Sequence, residues 1–164
     1  MKRSTPPLLV ALWTRDKDGF EALLAQKDAA LAIDTRDADG RTALTHAVID
    51  GLVEYAESLI DHGADVNTSD ALEWTPLHFA AQSHNVEIAT LLLRRGARPD
   101  SADSHGNTPL STATFESRGR GEMVVLLLKA GADPDRMNKH GVSPRALADS
   151  IANFDVAQYF RALR

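Results

Sequence analysis

The sequence predicts an all-α solenoid of helix-turn-helix units joined by short β-hairpin fingers, and three observations predict it. Three segments align without gaps: DADGRTALTHA at 37–47, DALEWTPLHFA at 70–80 and DSHGNTPLSTA at 103–113, so that Thr42, Thr75 and Thr108 stand 33 residues apart. A second block follows each one: LIDHGADVN at 59–67, LLRRGARPD at 92–100 and LLKAGADPD at 127–135. Between the blocks, apolar residues recur at helical spacing. A period of this length marks stacked units that bury their apolar faces only against one another.

The whole chain, 1–164, reads as one such domain. Residues 1–36 form an N-terminal cap with two apolar segments, Leu8–Leu12 and Phe20–Leu24, split by the polar turn Thr14–Asp18. The basic start and the run Leu8–Trp13 imitate a signal peptide, but the run is short and no small-residue cleavage site follows, so it reads as a core helix. Between Leu24 and Asp37 the chain is expanded by three residues within 27–33, where Leu31 and Ile33 are expected to cover the end of the core.

Residues 37–69, 70–102 and 103–137 are the full repeats. In each, a threonine, twice followed by proline, starts an inner helix: the hydroxyl caps free amides and the ring occupies the first turn, where its missing donor costs nothing. Small residues, Ala47, Ala80, Ala81 and Ala113, allow neighbouring inner helices to approach. The outer helices carry bulk at Leu59, Ile60, Ile88, Leu92, Leu93, Val124, Leu127 and Leu128, read as core. Gly63, Gly96 and Gly131 end these helices in the left-handed conformation, and Gly40, Gly106 and Gly141 sit near the finger tips. Residues 138–164 close the stack, with HGVSPRALA at 140–148 repeating the opening words and Val156–Leu163 making a last helix.

The words TPLHFAA (75–81) and LIDHGAD (59–65), at this period, resemble the ankyrin repeat over nearly the whole chain: three full repeats between two degenerate capping repeats. The resemblance implies a non-catalytic protein-binding module. It places contacts on the finger residues before each inner helix and on that helix's exposed face. These are Asp39, Arg41, Ile49, Asp50, Leu72, Trp74, Gln82, Ser83, His105, Asn107, Phe115 and Glu116. Ile49, Leu72, Trp74 and Phe115 are expected to form an apolar centre rimmed by Asp39, Arg41, Asp50 and Glu116, the anatomy of an interface.

Two departures from the pattern sharpen that surface. In the finger 68–74, Glu73 stands where a glycine is expected, flanked by the large apolar Leu72 and Trp74. Trp74 is then an interface anchor, or else folds onto the adjacent finger. In the third full repeat, Thr108 to Gly131 spans 23 positions against 21 in the other two. The two added residues fall in TFESRGRGE (114–122), a turn expected to be flexible through Gly119 and Gly121 and to offer contacts through Arg118 and Arg120.

Composition narrows the function class. No cysteine is present, which removes disulfides and thiolate metal sites and suits a reducing cytoplasm. With 18 Lys/Arg against 23 Asp/Glu the chain lacks the surplus base that nucleic acid requires. Residues 1–82 hold 7 Lys/Arg and 14 Asp/Glu, residues 83–164 hold 11 and 9, so the front half is acidic and suits a partner protein with a basic surface. No apolar run approaches a membrane span. The six histidines suggest no active site: His78 reads as a structural side chain bonding finger backbone, His46 as solvated, His62 and His84 as turn residues, His105 and His140 as finger tips too far apart for more than a weak pair. No catalytic, metal or cofactor residues are assigned. The expected function is that of an adaptor or inhibitor, monomeric by itself; a bacterial immunity protein blocking a cognate toxin is the narrower alternative, and an enzyme the rival class.

Overall fold

The computed structural model describes residues 5–26, 32–151 and 154–161, and the described helices fall into five antiparallel pairs. The pairs are α1 (Pro7–Thr14) with α2 (Lys17–Leu24), α3 (Ala43–Ile49) with α4 (Val53–Asp61), and α5 (Pro76–Gln82) with α6 (Val86–Arg94). They continue with α7 (Pro109–Phe115) and α8 (Glu122–Lys129), then α9 (Pro144–Ser150) and α10 (Ala157–Arg161). Each first helix packs on its own partner and on the first helix of the next pair, which makes a layer of inner helices, α1, α3, α5, α7 and α9, backed by a layer of outer ones.

The inner helices are only seven or eight residues long, too short to hold their shape alone, so caps and packing carry them. Thr42 Oγ1 accepts the Thr45 amide at 3.3 Å. Thr75 and Thr108 form reciprocal capping boxes with His78 and Ser111, and Pro76, Pro109 and Pro144 fill first-turn positions. Ala47, Ala80, Ala81 and Ala113 are fully buried between neighbouring helices, with Leu44, Leu77 and Leu110 filling the layer below. From the outer layer Leu59, Ile88, Leu92, Val124 and Leu127 enter the same core, each fully buried branched side chain contributing about 1.5–3 kcal/mol. Ile60, Leu93 and Leu128 differ from expectation: they are half-buried at its margin, because a helix of this width presents only one stripe to the core.

Each finger is a hydrogen-bonded loop closed by its first and last residues. Asp37, Asp70 and Asp103 donate their amides to the carbonyls of Arg41, Trp74 and Asn107 at 2.9 Å, and Asn138 to Val142 at 3.0 Å. Inside each loop the first residue's Oδ1 accepts two more amides, as Asp70 does from Leu72 and Trp74 at 2.9 Å. Neighbouring fingers are joined by one backbone bond each: Ala71 N–H to Asp39 O, Ser104 N–H to Leu72 O and Lys139 N–H to His105 O. One cross-bond per neighbour is too few for a ladder, and no strand forms among the described residues. Close stacking explains two of the tip glycines: a Cβ on Gly40 would lie 2.8 Å from the Ala71 nitrogen and one on Gly106 2.9 Å from the Lys139 nitrogen, whereas Gly141 has only its positive φ of 74°. Glu73 takes the same left-handed place, with φ +63°, despite its side chain.

The lengthened turn after α7 is not the flexible loop the sequence suggests. Tyr159, on α10, donates its hydroxyl to Gly119 O at 2.9 Å, and a Cβ on Gly121 would lie 2.1 Å from the Tyr159 ring. A Cβ on Gly119 would lie 2.9 Å from the Phe154 ring. The two glycines therefore make a seat for the end of the chain. At the front, Ile33 is buried as expected, while Leu31 lies outside the described residues. The last helix, α10, begins just after the buried Val156; residues 162 and 163 lie outside the described residues.

Candidate binding surface

Fingers and inner helices share one face, and its residues follow from the repeat register. The residue before each helix cap is Arg41, Trp74, Asn107 and Val142 in successive units. Four positions past the cap come His46, Phe79, Thr112 and Leu147. Toward the C-terminal half these rows enclose a groove of about 490 Å³. Trp74, Phe115, Val142 and Leu147 supply most of its apolar wall, with Gln82, Asp103, Asn107, Ser111, Thr112, Glu116, Asn138 and His140 supplying polar atoms.

Trp74 is placed by both neighbours. Its indole N–H donates to Asp103 Oδ2 at 3.1 Å, and its ring lies 5.1 Å from Phe79 and 5.6 Å from His78. It is half-buried, so one side of the ring ties the second finger to the third and another lines the groove. Phe115, at the end of α7, is 70% exposed. A large aromatic ring left that bare has no structural return within the chain.

Asp103 is buried, which by itself raises a carboxyl pKa, yet the amides of Asn107 and His105 and the Asn107 side chain outweigh burial and hold it below the usual carboxylate range. It stays ionised beside Trp74. His78 lies beneath, fully buried. Its Nδ1 accepts the Thr75 amide at 3.1 Å and its Nε2 lies 3.2 Å from Asn107 O. Burial pushes its pKa down, so it stays neutral, with the Nε2 proton directed at the next finger. This is the structural role expected of it.

The other sequence-designated residues divide by place. Gln82, Asn107 and Glu116 line the groove with Trp74 and Phe115; Asp39, Ile49, Asp50, Leu72, Ser83, His105, Arg118 and Arg120 are exposed but do not line it. Arg41 turns inward: its guanidinium lies 5.2 Å over the Phe79 ring and 3.5 Å from Asp70, bracing one finger on the next. His46, read as solvated, is instead half-buried, with Nε2 2.7 Å from Asp37 Oδ2 and its ring edge-on to Trp13. Burial alone would raise the Asp37 pKa; the His46 contact and the Arg41 and Asp39 amides bring it down. Sequence reasoning passed over Val142, Leu147, Asn138 and His140, although the register put Val142 in the same row as Trp74.

No cluster of three or more histidines or carboxylates among the described residues has metal-binding geometry, and no helix among them is long and apolar enough to cross a membrane.

Comparison with known proteins supplies the context. A family model described as ankyrin repeats (3 copies) matches residues 8–103 and 68–138. A putative ankyrin repeat protein of Rickettsia bellii is 34% identical over 110 residues, covering 66% of this chain and 59% of that protein. Inversin of Gallus gallus is 42% identical over 81 residues, 49% of this chain and 7% of its own length. The potassium channel AKT1 of Oryza sativa subsp. indica is 52% identical over 44 residues, 27% of this chain and 5% of the channel. The chain thus spans only a small part of the channel and of inversin.

Proposed function

Because the chain belongs to the ankyrin-repeat family, whose repeats are protein-interaction modules, we propose that it binds another protein through its fingers and inner helices, as an adaptor or inhibitor without catalysis of its own. The observation that carries this is the groove walled by Trp74, Phe115, Val142 and Leu147. It combines a pre-positioned indole, an exposed phenyl ring and a rim of amide and hydroxyl groups, the composition of an interface centre. The acidic front half, with 14 Asp/Glu against 7 Lys/Arg in residues 1–82, favours a partner with a basic surface. It also supports the narrower reading of an immunity protein that blocks a basic toxin.

The test is affinity capture from the source cells with wild type and Phe115→Glu in parallel, followed by mass spectrometry. A protein retained by the first and lost by the second supports the reading. Partners held equally by both would place binding elsewhere. A secreted toxin or nuclease among the specific partners would select the immunity role; none would leave the adaptor role.

A further inference from the structure

One repeat before the groove, the chain fills the equivalent place with an arginine of its own. The Arg41 guanidinium lies 5.2 Å over the Phe79 ring, and its Nε lies 3.5 Å from Asp70 Oδ2. Phe79 in turn packs on Trp74, ring centroids 5.1 Å apart, so a cation, a phenyl ring and an indole form one stack across two units. A shift of 33 residues turns Arg41, Asp70 and Phe79 into Trp74, Asp103 and Thr112. Trp74 takes the arginine's place at the aspartate, donating to Asp103 Oδ2 at 3.1 Å, but it brings no charge. Thr112 takes the place of the phenyl ring and is too small to fill it, so the stack stops at Trp74 and the groove opens beside it.

We propose that the groove receives one arginine side chain of the partner protein, whose guanidinium continues the stack against Trp74 and Phe115 and pairs with the Glu116 carboxylate. The inference rests on the binding role argued above and names the residue the groove selects. Two carboxylates, Asp103 and Glu116, line the groove, and none of its described lining residues is a lysine or arginine. Asp103 is 4% exposed and stays ionised, yet its oxygens accept only from neutral donors: the amides of His105 and Asn107, the Asn107 side chain and the Trp74 indole. Where Asp70 has Arg41, Asp103 has no counter-charge among the described residues, and a buried anion of that kind favours a cation in the apolar space beside it. No hydrogen bond or ion pair engages the Glu116 side chain among the described residues.

The cations nearby are turned elsewhere. Lys139 donates Nζ to Ser104 O at 2.8 Å, Arg120 directs Nε at Ser117 O at 3.4 Å, and Arg118 is exposed outside the groove. Other anchors fit less well. An aliphatic or aromatic side chain would bury Glu116 without a partner, and an acidic one would meet like charge. Lysine neutralises the carboxylates too, but its compact ammonium holds its water and cannot lie flat on a ring. A guanidinium is planar and more weakly hydrated, stacks on aromatic faces, and is carried on a stem that packs against Val142 and Leu147.

A displayed library of random peptides, selected on the full chain, tests this. Enriched sequences are expected to share one arginine. In a synthetic peptide from that set, replacing this arginine by leucine or by lysine should weaken affinity about tenfold or more. On the protein, Phe115→Ala and Glu116→Gln should each cost a similar factor, the second removing much of the salt dependence of binding, while Glu87→Gln, an exposed carboxylate on the outer layer, should change little. Melting curves check that each variant stays folded. Peptides that need Phe115 and Val142 but anchor through an apolar residue or lysine, and ignore Glu116→Gln, would overturn the arginine and keep the groove as the binding site. Peptides indifferent to Phe115 and Val142 alike, or a library that yields no binder, would also overturn the arginine. The broader binding role fails only when the partners captured from cells ignore Phe115→Glu as well.

Discussion

Gly121→Ala is the most exacting test of how the end of the stack is held. Gly121 has an ordinary φ of −105°, so alanine meets no backbone strain and the whole effect is steric. The added Cβ would lie 2.1 Å from Tyr159 Cε1 and 2.2 Å from Cζ, well inside contact distance, so the ring must move by more than an ångström. That displacement also breaks its 2.9 Å bond to Gly119 O. Overpacking of this kind costs about 1–3 kcal/mol and the lost hydrogen bond about 1 kcal/mol, offset by about 0.5 kcal/mol from the reduced freedom of the unfolded chain. The expected destabilisation is therefore about 1.5–3.5 kcal/mol. Urea unfolding of wild type, Gly121→Ala, Tyr159→Ala and the double variant measures it as a cycle. In the Tyr159→Ala background, which removes the ring, the glycine substitution should cost almost nothing. Equal destabilisation in both backgrounds would show that Gly121 is not the seat of Tyr159, and the account of the lengthened turn would fail.

Other expected outcomes follow from the same geometry. Trp74→Ala should lower stability by about 2 kcal/mol, since Trp74 holds Asp103 and packs on Phe79, whereas Phe115→Ala should change stability by less than about 0.5 kcal/mol; chemical denaturation of the two side by side decides. Glu73→Gly removes a side chain from a left-handed backbone position and should gain about 0.5–1 kcal/mol, visible as a raised Tm, with a fall counting against strain at that finger. Burial pushes the His78 pKa down from 6.5, so as pH falls through 6.5 the unfolded chain takes up a proton more readily than the folded chain does. The His78 contribution is thus complete above pH 6.5 and lost as pH falls below it. Denaturation midpoints across that window should drop more steeply for wild type than for His78→Gln; parallel slopes would contradict the assignment.

The sequence by itself determined the architecture, because each repeat word is a local instruction. Thr75, Pro76 and His78 specify a helix start, Gly96 specifies a helix end, and the 33-residue period fixes which residues stack. The residue that opens each finger, an aspartate in three and Asn138 in the last, likewise closes it on its own backbone. Even the finger row was present in the register, although Val142 went unread because it lies in a degenerate terminal unit, and Trp13, read as part of a core helix, is 49% exposed. What only the tertiary structure decided are the contacts between units. That Arg41 turns onto Phe79, that His46 pairs with Asp37, and that Trp74 reaches Asp103 depend on the distance and tilt of neighbouring fingers, which no local pattern encodes. Gly119 and Gly121 show the difference most plainly. In sequence they signify freedom; in the folded chain the rings of Phe154 and Tyr159, more than thirty residues later, occupy the space where their side chains would be. The local chain sets which conformations are allowed, and packing from a distant segment sets which one is kept.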